Sequence, residues 1–164
     1  EEVVTSPAGD YVREFVQDAS PAKVITAGSI MTEPGTIIYD WQGPKASLHL
    51  LKNIKSDHCF LVSRGRKYLG LVTETGLAKL IKDSVNSTRE AVEPDIVTCT
   101  PDILLEDLFC LAVATRYPIP VIDENGKLVG EIDNETIIGS MVQYKEMEPE
   151  EVKETDAKET DTDA

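Results

Sequence analysis

The chain contains one pattern of residues twice, at a constant offset of sixty positions. The first copy is centred on residues 67–81 and the second on residues 127–141. The aligned pairs are Glu33 with Glu93, Leu48 with Leu108, Leu51 with Leu111, Val62 with Ile122, Lys67 with Lys127, Gly70 with Gly130 and Val72 with Ile132. A unit that is duplicated once predicts two similar halves related by a pseudo-twofold axis, whereas a solenoid needs several repeats.

The length of the chain favours a core that both copies share. A unit of about sixty residues buries too little surface to be comfortably stable by itself. The whole chain, at 164 residues, suits one compact domain or two small ones. We therefore expect the two copies to pack against each other through apolar faces.

Hydrophobic periodicity and turn residues predict the order β-α-β-β-α in each copy, which gives an α/β (α+β) fold class. In the first copy we expect strands over residues 36–39, 58–63 and 67–72, and helices over 44–53 and 75–82. In the second copy we expect strands over residues 96–99, 119–122 and 127–132, and helices over 103–114 and 134–144. Asn125-Gly126 is a strong hairpin signal because both positions tolerate a positive φ.

Composition divides the chain into four segments. Residues 1–26 form a polar lead-in, with a short helix expected over 10–17. The two copies occupy residues 27–84 and 85–144. Residues 145–164 hold nine acidic and three basic side chains. Such a segment buries too little apolar surface to fold, so we expect a disordered acidic tail.

The net charge of −14 argues against a general nucleic-acid-binding protein. Binding to a phosphate backbone needs clustered lysine and arginine, which this composition does not provide. There is no run of 18 or more apolar residues and no signal-peptide pattern. We expect a soluble chain in the cytoplasm.

The cysteines predict neither disulfides nor a metal site. Cys59, Cys99 and Cys110 are odd in number, and each lies in or beside a hydrophobic stretch. We expect buried free thiols in a reducing compartment. The two histidines have no metal-ligand spacing either.

Catalytic motifs are absent from the sequence. There is no G-x-x-x-x-G-K-[ST] loop, no H-E-x-x-H and no Ser/His/Asp set with plausible spacing. We therefore expect a chain that is not itself an enzyme.

The duplicated unit resembles a tandem pair of cystathionine-β-synthase (CBS) domains, also called a Bateman module. The resemblance includes a Gly-apolar-apolar-Thr sequence, here Gly70–Thr73, which ends a hairpin strand and leads into a helix. The resemblance covers about residues 27–142. It rests on residues 30–31, 60–62, 68–73, 118–122 and 128–133. It implies two β-α-β-β-α repeats around a pseudo-twofold axis.

A second resemblance lies at the N-terminal end. Residues 1–16 are similar to the junction at which the ATPase subunit of glycine betaine/proline ABC importers enters its CBS pair. The matching residues are Tyr11, Val12, Arg13, Phe15 and Val16. This resemblance implies a C-terminal regulatory module of an osmoprotectant importer. It also implies several partners and a location: the ATPase domain of the same chain, the permease, a second module bound through the helices, and the inner face of the cell membrane.

Nucleotide-binding CBS domains hold phosphate and ribose with a Thr or Ser, followed three residues later by Asp. The first copy has Thr73 but carries Gly76 in the Asp position, and the second has Asp133 and Thr136. By this resemblance Thr73 and Asp133 are candidate ligand contacts for an adenine nucleotide or cyclic di-AMP. The alternative is that both are simply helix N-caps.

Two further pairs of residues are candidate ligand contacts. Tyr39 and Trp41 follow the first predicted strand, where the indole can either stack on a base or pack against Pro44 as an interface anchor. Thr98 and Thr100 occupy the equivalent edge of the second copy. The sequence leaves these alternatives open.

The densest basic cluster is Arg64, Arg66 and Lys67, on a predicted hairpin turn. Such a turn is either only solvated or binds an anion, such as a lipid headgroup of an anionic membrane surface or the acidic tail of the same chain. Contacts of that kind weaken as salt shortens the Debye length from ~10 Å at 0.1 M to ~3 Å at 1 M.

The sequence favours a regulatory module that tunes transport in response to ionic strength. One alternative is a module that senses an adenine nucleotide or cyclic di-AMP. A second alternative is a passive dimerisation scaffold that senses nothing.

Overall fold

The computed structural model describes residues 20–147 of the chain. Its helices are α1 (Ala27–Ile30), α2 (Pro44–Ile54), α3 (Glu74–Lys82), α4 (Leu105–Val113) and α5 (Asn134–Met147). Its strands are β1 (Ile37–Tyr39), β2 (His58–Val62), β3 (Tyr68–Thr73), β4 (Ile119–Ile122) and β5 (Leu128–Ile132). Short 3-10 helices span Ser20–Lys23, Arg64–Arg66 and Thr88–Ala91. The predicted α+β fold class is confirmed, whereas the predicted helix over residues 10–17 lies outside the described residues.

The strands form two small sheets, one in each repeat. In the first repeat β1 runs parallel to β2, and β2 pairs with β3 as an antiparallel hairpin. In the second repeat β4 and β5 form the equivalent hairpin. Helix α2 provides the crossover that a parallel pair such as β1 and β2 requires.

The strand predicted over residues 96–99 does not form; only an isolated parallel bridge joins Cys99 to Val121. Its hydrogen bonds are Cys99 N–H to the Pro120 carbonyl, at 3.1 Å, and Ile122 N–H to the Cys99 carbonyl, at 2.8 Å. Extending the ladder in one direction needs the N–H of Pro120, and in the other direction the N–H of Pro101. Proline has no N–H, so the ladder stops after one bridge.

The segment at the start of each repeat pairs with the hairpin of the other repeat. Thr32 forms an antiparallel bridge with Glu131 on β5, through N–H to carbonyl bonds of 3.0 and 2.9 Å. Val92 forms the corresponding antiparallel bridge with Val72 on β3. Each hairpin is therefore extended by a segment from the opposite repeat.

The buried cores show the same exchange. Residues 25–32, the first lead segment, contribute the fully buried Ala27 to the core of the second repeat. Residues 85–93, the second lead segment, contribute Ala91 to the core of the first repeat. A third cluster joins the two hairpins and consists of Phe60, Val62, Leu71 and Leu128. The boundaries 27–84 and 85–144 thus describe the sequence repeat, while packing crosses them.

A glycine lies where each lead segment crosses the opposite hairpin. A Cβ built on Gly70 would collide with Cγ1 of Val92, and φ at Gly70 is 153°. A Cβ on Gly130 would lie 2.7 Å from Sδ of Met31. The alignment of these two glycines in the sequence repeat therefore has a structural cause, the close approach of the exchanged segments.

The cysteines are free thiols, and the predicted burial is confirmed for two of the three. Cys59 and Cys99 are buried, and Cys110 is half-buried on α4. Burial raises the pKa of the Cys59 thiol to about 12 and that of Cys99 to about 11. Both thiols are therefore protonated and chemically inert near neutral pH.

Helix α5 continues to Met147, so it includes the first residues of the segment predicted as an acidic tail. The remainder of that tail lies outside the described residues. Within residues 20–147, none of the helices combines the length and the apolar character that a membrane crossing requires.

Candidate functional site

Thr73 ends β3 and is the N-cap of α3. Its hydroxyl oxygen accepts a hydrogen bond from the N–H of Gly76 at 3.1 Å. The same hydroxyl donates to Oε1 of Glu93, in the second lead segment, at 2.7 Å. Thr73 is only 7% exposed, so its hydroxyl is enclosed by partners from within the chain.

Gly76 stands where the resembled nucleotide motif has Asp, and the second lead segment occupies the space beside it. A Cβ on Gly76 would lie 3.2 Å from Oγ1 of Thr73 and 3.4 Å from the carbonyl oxygen of Ala91. A side chain at this position would press on the Thr73 hydroxyl and would contact Ala91. Both positions that correspond to the ribose-binding motif of the first repeat thus contact the second lead segment.

Asp133 occupies the position equivalent to Thr73 and also caps a helix. Its Oδ1 accepts the N–H of Thr136 at 2.7 Å, and the residue is exposed. Thr136 lines an open cleft between α1 and α5, of about 640 Å³, together with Ser29 and Ile30. The Asp133 carboxylate at the start of α5 repels a phosphate group. The second repeat therefore also lacks a favourable phosphate-binding position at this helix N-terminus.

Tyr39 and Trp41 form an aromatic stack on the turn after β1. Their ring centroids are 4.3 Å apart with an interplanar angle of 18°. Trp41 is 61% exposed, so its indole is open to solvent on the side away from Tyr39. Pro44, the packing partner considered from the sequence, is buried at the start of α2.

The second lead segment holds this turn in place. The Thr88 hydroxyl, which is fully buried, donates to the Gln42 carbonyl oxygen at 2.5 Å. Arg89 forms an ion pair with Asp40, in which Nε lies 3.2 Å from Oδ2. The Gln42 side chain in turn accepts the N–H of Tyr39 at 2.7 Å. Trp41 is therefore presented from a rigid turn.

Thr98 and Thr100 flank the single bridge at Cys99, and both are exposed. A hydrogen bond from the Thr100 side chain lowers the pKa of Asp102. Thr100 and Asp102 line a shallow cleft of about 510 Å³ with Asp123 of the β4-β5 turn. The carboxylates make this cleft unfavourable for an anionic ligand.

The predicted contacts of the first repeat do not converge on one site. Tyr39 is in register with Val62, and Val62 with Tyr68, whereas Thr73 is in register with His58. His58 and Val62 lie at the two ends of β2, about 13 Å apart at 3.3 Å per residue. The aromatic stack and the Thr73 cap are therefore separate features.

The basic cluster lies on the 3-10 turn between β2 and β3. Gly65 and Arg66 adopt positive φ values of 74° and 64°. Arg64 and Lys67 are exposed. Within the described residues, Nε of the half-buried Arg66 has no hydrogen-bond partner.

The structure adds Lys127 to this cluster. Lys67 forms an antiparallel bridge with Lys127, its own equivalent in the second repeat. The N–H of Tyr68 donates to the Gly126 carbonyl oxygen at 2.9 Å. The pseudo-twofold axis thus passes between two lysines, a relationship that the sixty-residue offset alone does not reveal.

Sequence reasoning missed several residues around these features. In the sequence, Glu93 is distinguished only by its alignment with Glu33, because its contact with Thr73 depends on the pairing of distant segments. The contact of Thr88 with Gln42 has no local sequence signal for the same reason. The Asp57 carboxyl group and the His58 imidazole are hydrogen-bonded at 2.7 Å, and they form an ion pair when the imidazole is protonated. The hydrogen bond from His58 lowers the pKa of the Asp57 carboxyl below 3.8.

Within residues 20–147, no cluster of three or more histidine, cysteine, aspartate or glutamate side chains is arranged to hold a metal ion. The features available to a partner are thus an exposed aromatic stack, open clefts and a basic junction.

Comparison with known proteins accounts for this architecture. The profile of the CBS domain matches residues 89–142. That part of the chain is similar to a CBS domain. The solved structure of a CBS domain pair/ACT domain protein from Thermotoga maritima superposes with a TM-score of 0.62 at 17% identity, and covers 73% of this chain and 98% of that one. The described region therefore has the fold of a CBS domain pair, as predicted.

The CBS pair is similar to parts of transporter subunits. It is 30% identical over 141 residues to the glycine betaine/carnitine transport ATP-binding protein GbuA of Listeria monocytogenes. The match covers 86% of this chain and 35% of that protein, so the chain spans about a third of the relative's length. OpuCA of Staphylococcus aureus superposes with a TM-score of 0.60 at 22% identity, over 71% of this chain and 97% of that one. The predicted resemblance to ATP-binding subunits of glycine betaine transporters is confirmed.

Proposed function

We propose that this CBS pair is a non-catalytic regulatory module of a glycine betaine/proline importer, and that it tunes transport to ionic strength. The transporter link is supported by the similarity to GbuA, a glycine betaine/carnitine transport ATP-binding protein. The observation that carries the salt response is the pairing of Lys67 with Lys127 at the junction of the repeats. Two like charges directly opposite each other destabilise a strand pair.

The electrostatic energy of this pair depends on salt. Two unit charges 4 Å apart interact with about 1 kcal/mol in bulk water and about 4 kcal/mol near a protein surface. Raising the salt shortens the Debye length from ~10 Å at 0.1 M to ~3 Å at 1 M, which screens the repulsion. A change of ~1.4 kcal/mol shifts a two-state equilibrium tenfold, which sets the size of the effect that screening at this junction has to supply.

Nucleotide sensing is less well supported by the geometry. In the first repeat, the hydroxyl of Thr73 donates to Glu93, and Ala91 lies within contact distance of a Cβ built at Gly76. In the second repeat, the Asp133 carboxylate lies at the start of α5. A phosphate group would have to displace the first arrangement or approach the second carboxylate.

The module is proposed to act as a homodimer, attached to an ATPase domain and a permease at the inner face of the cell membrane. Exposed apolar side chains on α4 and α5 support self-association through helices: Val113 is 55% exposed, Ile138 60% and Val142 54%. The basic cluster around Lys67 supports contact with an anionic membrane surface.

The decisive experiment measures transport against KCl concentration in the full transporter. Lys67→Glu or Lys127→Glu turns the repulsive pair into an attractive one, and each single variant should shift or flatten the salt-activation curve. The double variant restores a like-charge pair and should recover the salt dependence. Lys52→Glu, an exposed position on α2, controls for the charge change.

Other outcomes separate the alternatives. Wild-type curves for both single variants would remove the lysine pair from the mechanism. An unchanged salt response after deletion of the whole module would favour a passive scaffold. A melting-temperature increase with AMP, ATP or cyclic di-AMP at constant ionic strength would favour a nucleotide sensor.

A further inference from the structure

The junction of the two hairpins places two lysines directly opposite each other. Because Tyr68 N–H donates to the Gly126 carbonyl, Lys67 and Lys127 form a non-hydrogen-bonded antiparallel pair. In such a pair the Cβ atoms are about 4.5–5.5 Å apart and both side chains stand on the same face. Both lysine side chains therefore leave the strand pair on the same face.

The side chain of Lys67 is also directed across the opposite turn. A Cβ built on Gly126 would lie 3.6 Å from Cε and 3.8 Å from Cγ of Lys67, so the lysine stem runs over this glycine. Gly126 has φ of 77°, and its missing side chain leaves room for the stem. Lys67 is thus held near the Lys127 end of the second hairpin.

The charges around this junction are mixed but favour an anion. Arg64 and Arg66 add positive charge from the adjacent turn, and within residues 22–143 neither lysine forms an ion pair. Asp123 and Glu124 are the acidic groups of the facing turn. One carboxylate oxygen of Asp123 is already engaged, because it accepts the N–H of Lys127 at 2.8 Å.

We infer that Lys67 and Lys127 together bind a phosphate group across the pseudo-twofold axis. A tetrahedral oxyanion offers separate oxygens to two ammonium groups, and lysine binds phosphate as a point charge. A bound phosphate would replace the repulsion between the lysines by two attractions and fasten one hairpin to the other. The inference rests on the same lysine pair as the proposed salt response.

The test measures binding at fixed ionic strength, so that screening does not change. Inorganic phosphate is titrated calorimetrically into the full chain while KCl keeps the ionic strength constant. Saturable binding is expected, and Lys67→Gln or Lys127→Gln should each weaken it about tenfold, the size of one charge-assisted contact. Lys52→Gln should bind as the wild type does, and circular dichroism verifies that every variant is folded.

The phosphodiester headgroups of anionic lipids are a second possible ligand for the two lysines. Binding to these headgroups is measured, in the same buffer, by co-sedimentation of the protein with phosphatidylglycerol vesicles and with phosphatidylcholine vesicles as the comparison. Lysine-dependent binding to either probe supports the site, and the probe that binds identifies the source. Equal binding by the wild type and both Lys→Gln variants, or no binding to either probe, overturns it.

The double variant Lys67→Glu/Lys127→Glu separates this inference from the proposed function. It keeps a like-charge pair, so the salt response of transport is expected to survive. It offers two carboxylates to a phosphate, so binding is expected to disappear. Retained phosphate binding by this variant contradicts the inference whatever the transport curve shows.

Discussion

The hydroxyl of Thr73 donates a hydrogen bond to the carboxylate of Glu93 across 2.7 Å, although twenty positions separate the two residues in the chain. Thr73 closes the last strand of the first hairpin, and Glu93 lies at the end of the second lead segment. The contact therefore joins the start of α3 to the segment that leads into the other repeat. Thr73 occupies a position that binds ligand in the resembled motif, but here its hydroxyl forms a hydrogen bond within the chain.

Removal of the Glu93 carboxylate should destabilise the module. Glu93→Ala leaves the Thr73 hydroxyl without its acceptor, and hydrogen bonds to charged groups contribute about 1.5–3 kcal/mol. Urea denaturation monitored by circular dichroism measures the free energy of unfolding. Glu90→Ala is the matched control, because Glu90 is exposed in the same segment. Equal losses in the two variants would show that the contact contributes nothing specific.

Two helical glycines should respond in opposite ways to alanine. Gly139 on α5 has open space around its Cβ position, so Gly139→Ala should stabilise by about 1 kcal/mol through helix propensity. A Cβ on Gly76 meets Thr73 and Ala91, so Gly76→Ala should lose that gain or destabilise by about 1–3 kcal/mol. The difference in thermal midpoints is the measurement. Equal stabilisation by both substitutions would mean that the second lead segment does not pack on α3.

The crossing of the lead segments can be tested at Gly70. Gly70→Ala forces a Cβ against Val92 and also strains a backbone at φ 153°, so a loss of about 2 kcal/mol or more is expected. The double variant Gly70→Ala/Val92→Ala should cost less than the sum of the two single variants, because the collision is relieved. Strict additivity in this cycle would contradict the exchange.

The Asp57–His58 pair predicts a small loss of stability in acid. The pKa of Asp57 is lowered in the folded state, so its contribution is present above pH 3.8 and disappears as the pH falls through the folded pKa. The Asp57 side chain is 74% exposed, and solvent screening limits the effect to about 0.5 kcal/mol. The unfolding free energy of Asp57→Asn, measured from pH 6 to pH 3, should fall less than that of the wild type. An Asp83→Asn control that shows the same reduced pH dependence would remove the assignment to this pair.

Local elements were predictable because their signals are local. The strand, turn and helix over residues 67–82 follow from alternation, a threonine cap and helical periodicity. The loss of the strand over 96–99 also has a local signal, the prolines at 101 and 120, but its effect depends on which N–H groups the ladder needs. That requirement is visible only once the pairing of Cys99 with Val121 is known.

The candidate site was predictable only in part, because its contacts join distant segments. Gly76 could be recognised as a departure from a nucleotide motif, yet its contacts with Thr73 and Ala91 are visible only in the structure. The sequence identifies Arg64, Arg66 and Lys67 as a basic cluster, because they are close together in the chain. The opposition of Lys67 to Lys127 required the relative placement of the two hairpins, which no periodicity within one repeat encodes.

The exchange of lead segments also determines how mechanical force would travel through the molecule. Residues 25–32 pack in the core of the second repeat. A force applied to the chain at Ile25 therefore acts first on the second repeat, which comes later in the sequence. Residues 85–93 are anchored on the first repeat, so any separation of the halves strains both anchors at once. A displacement at one end of the module therefore reaches the far repeat directly, without having to deform the near one first.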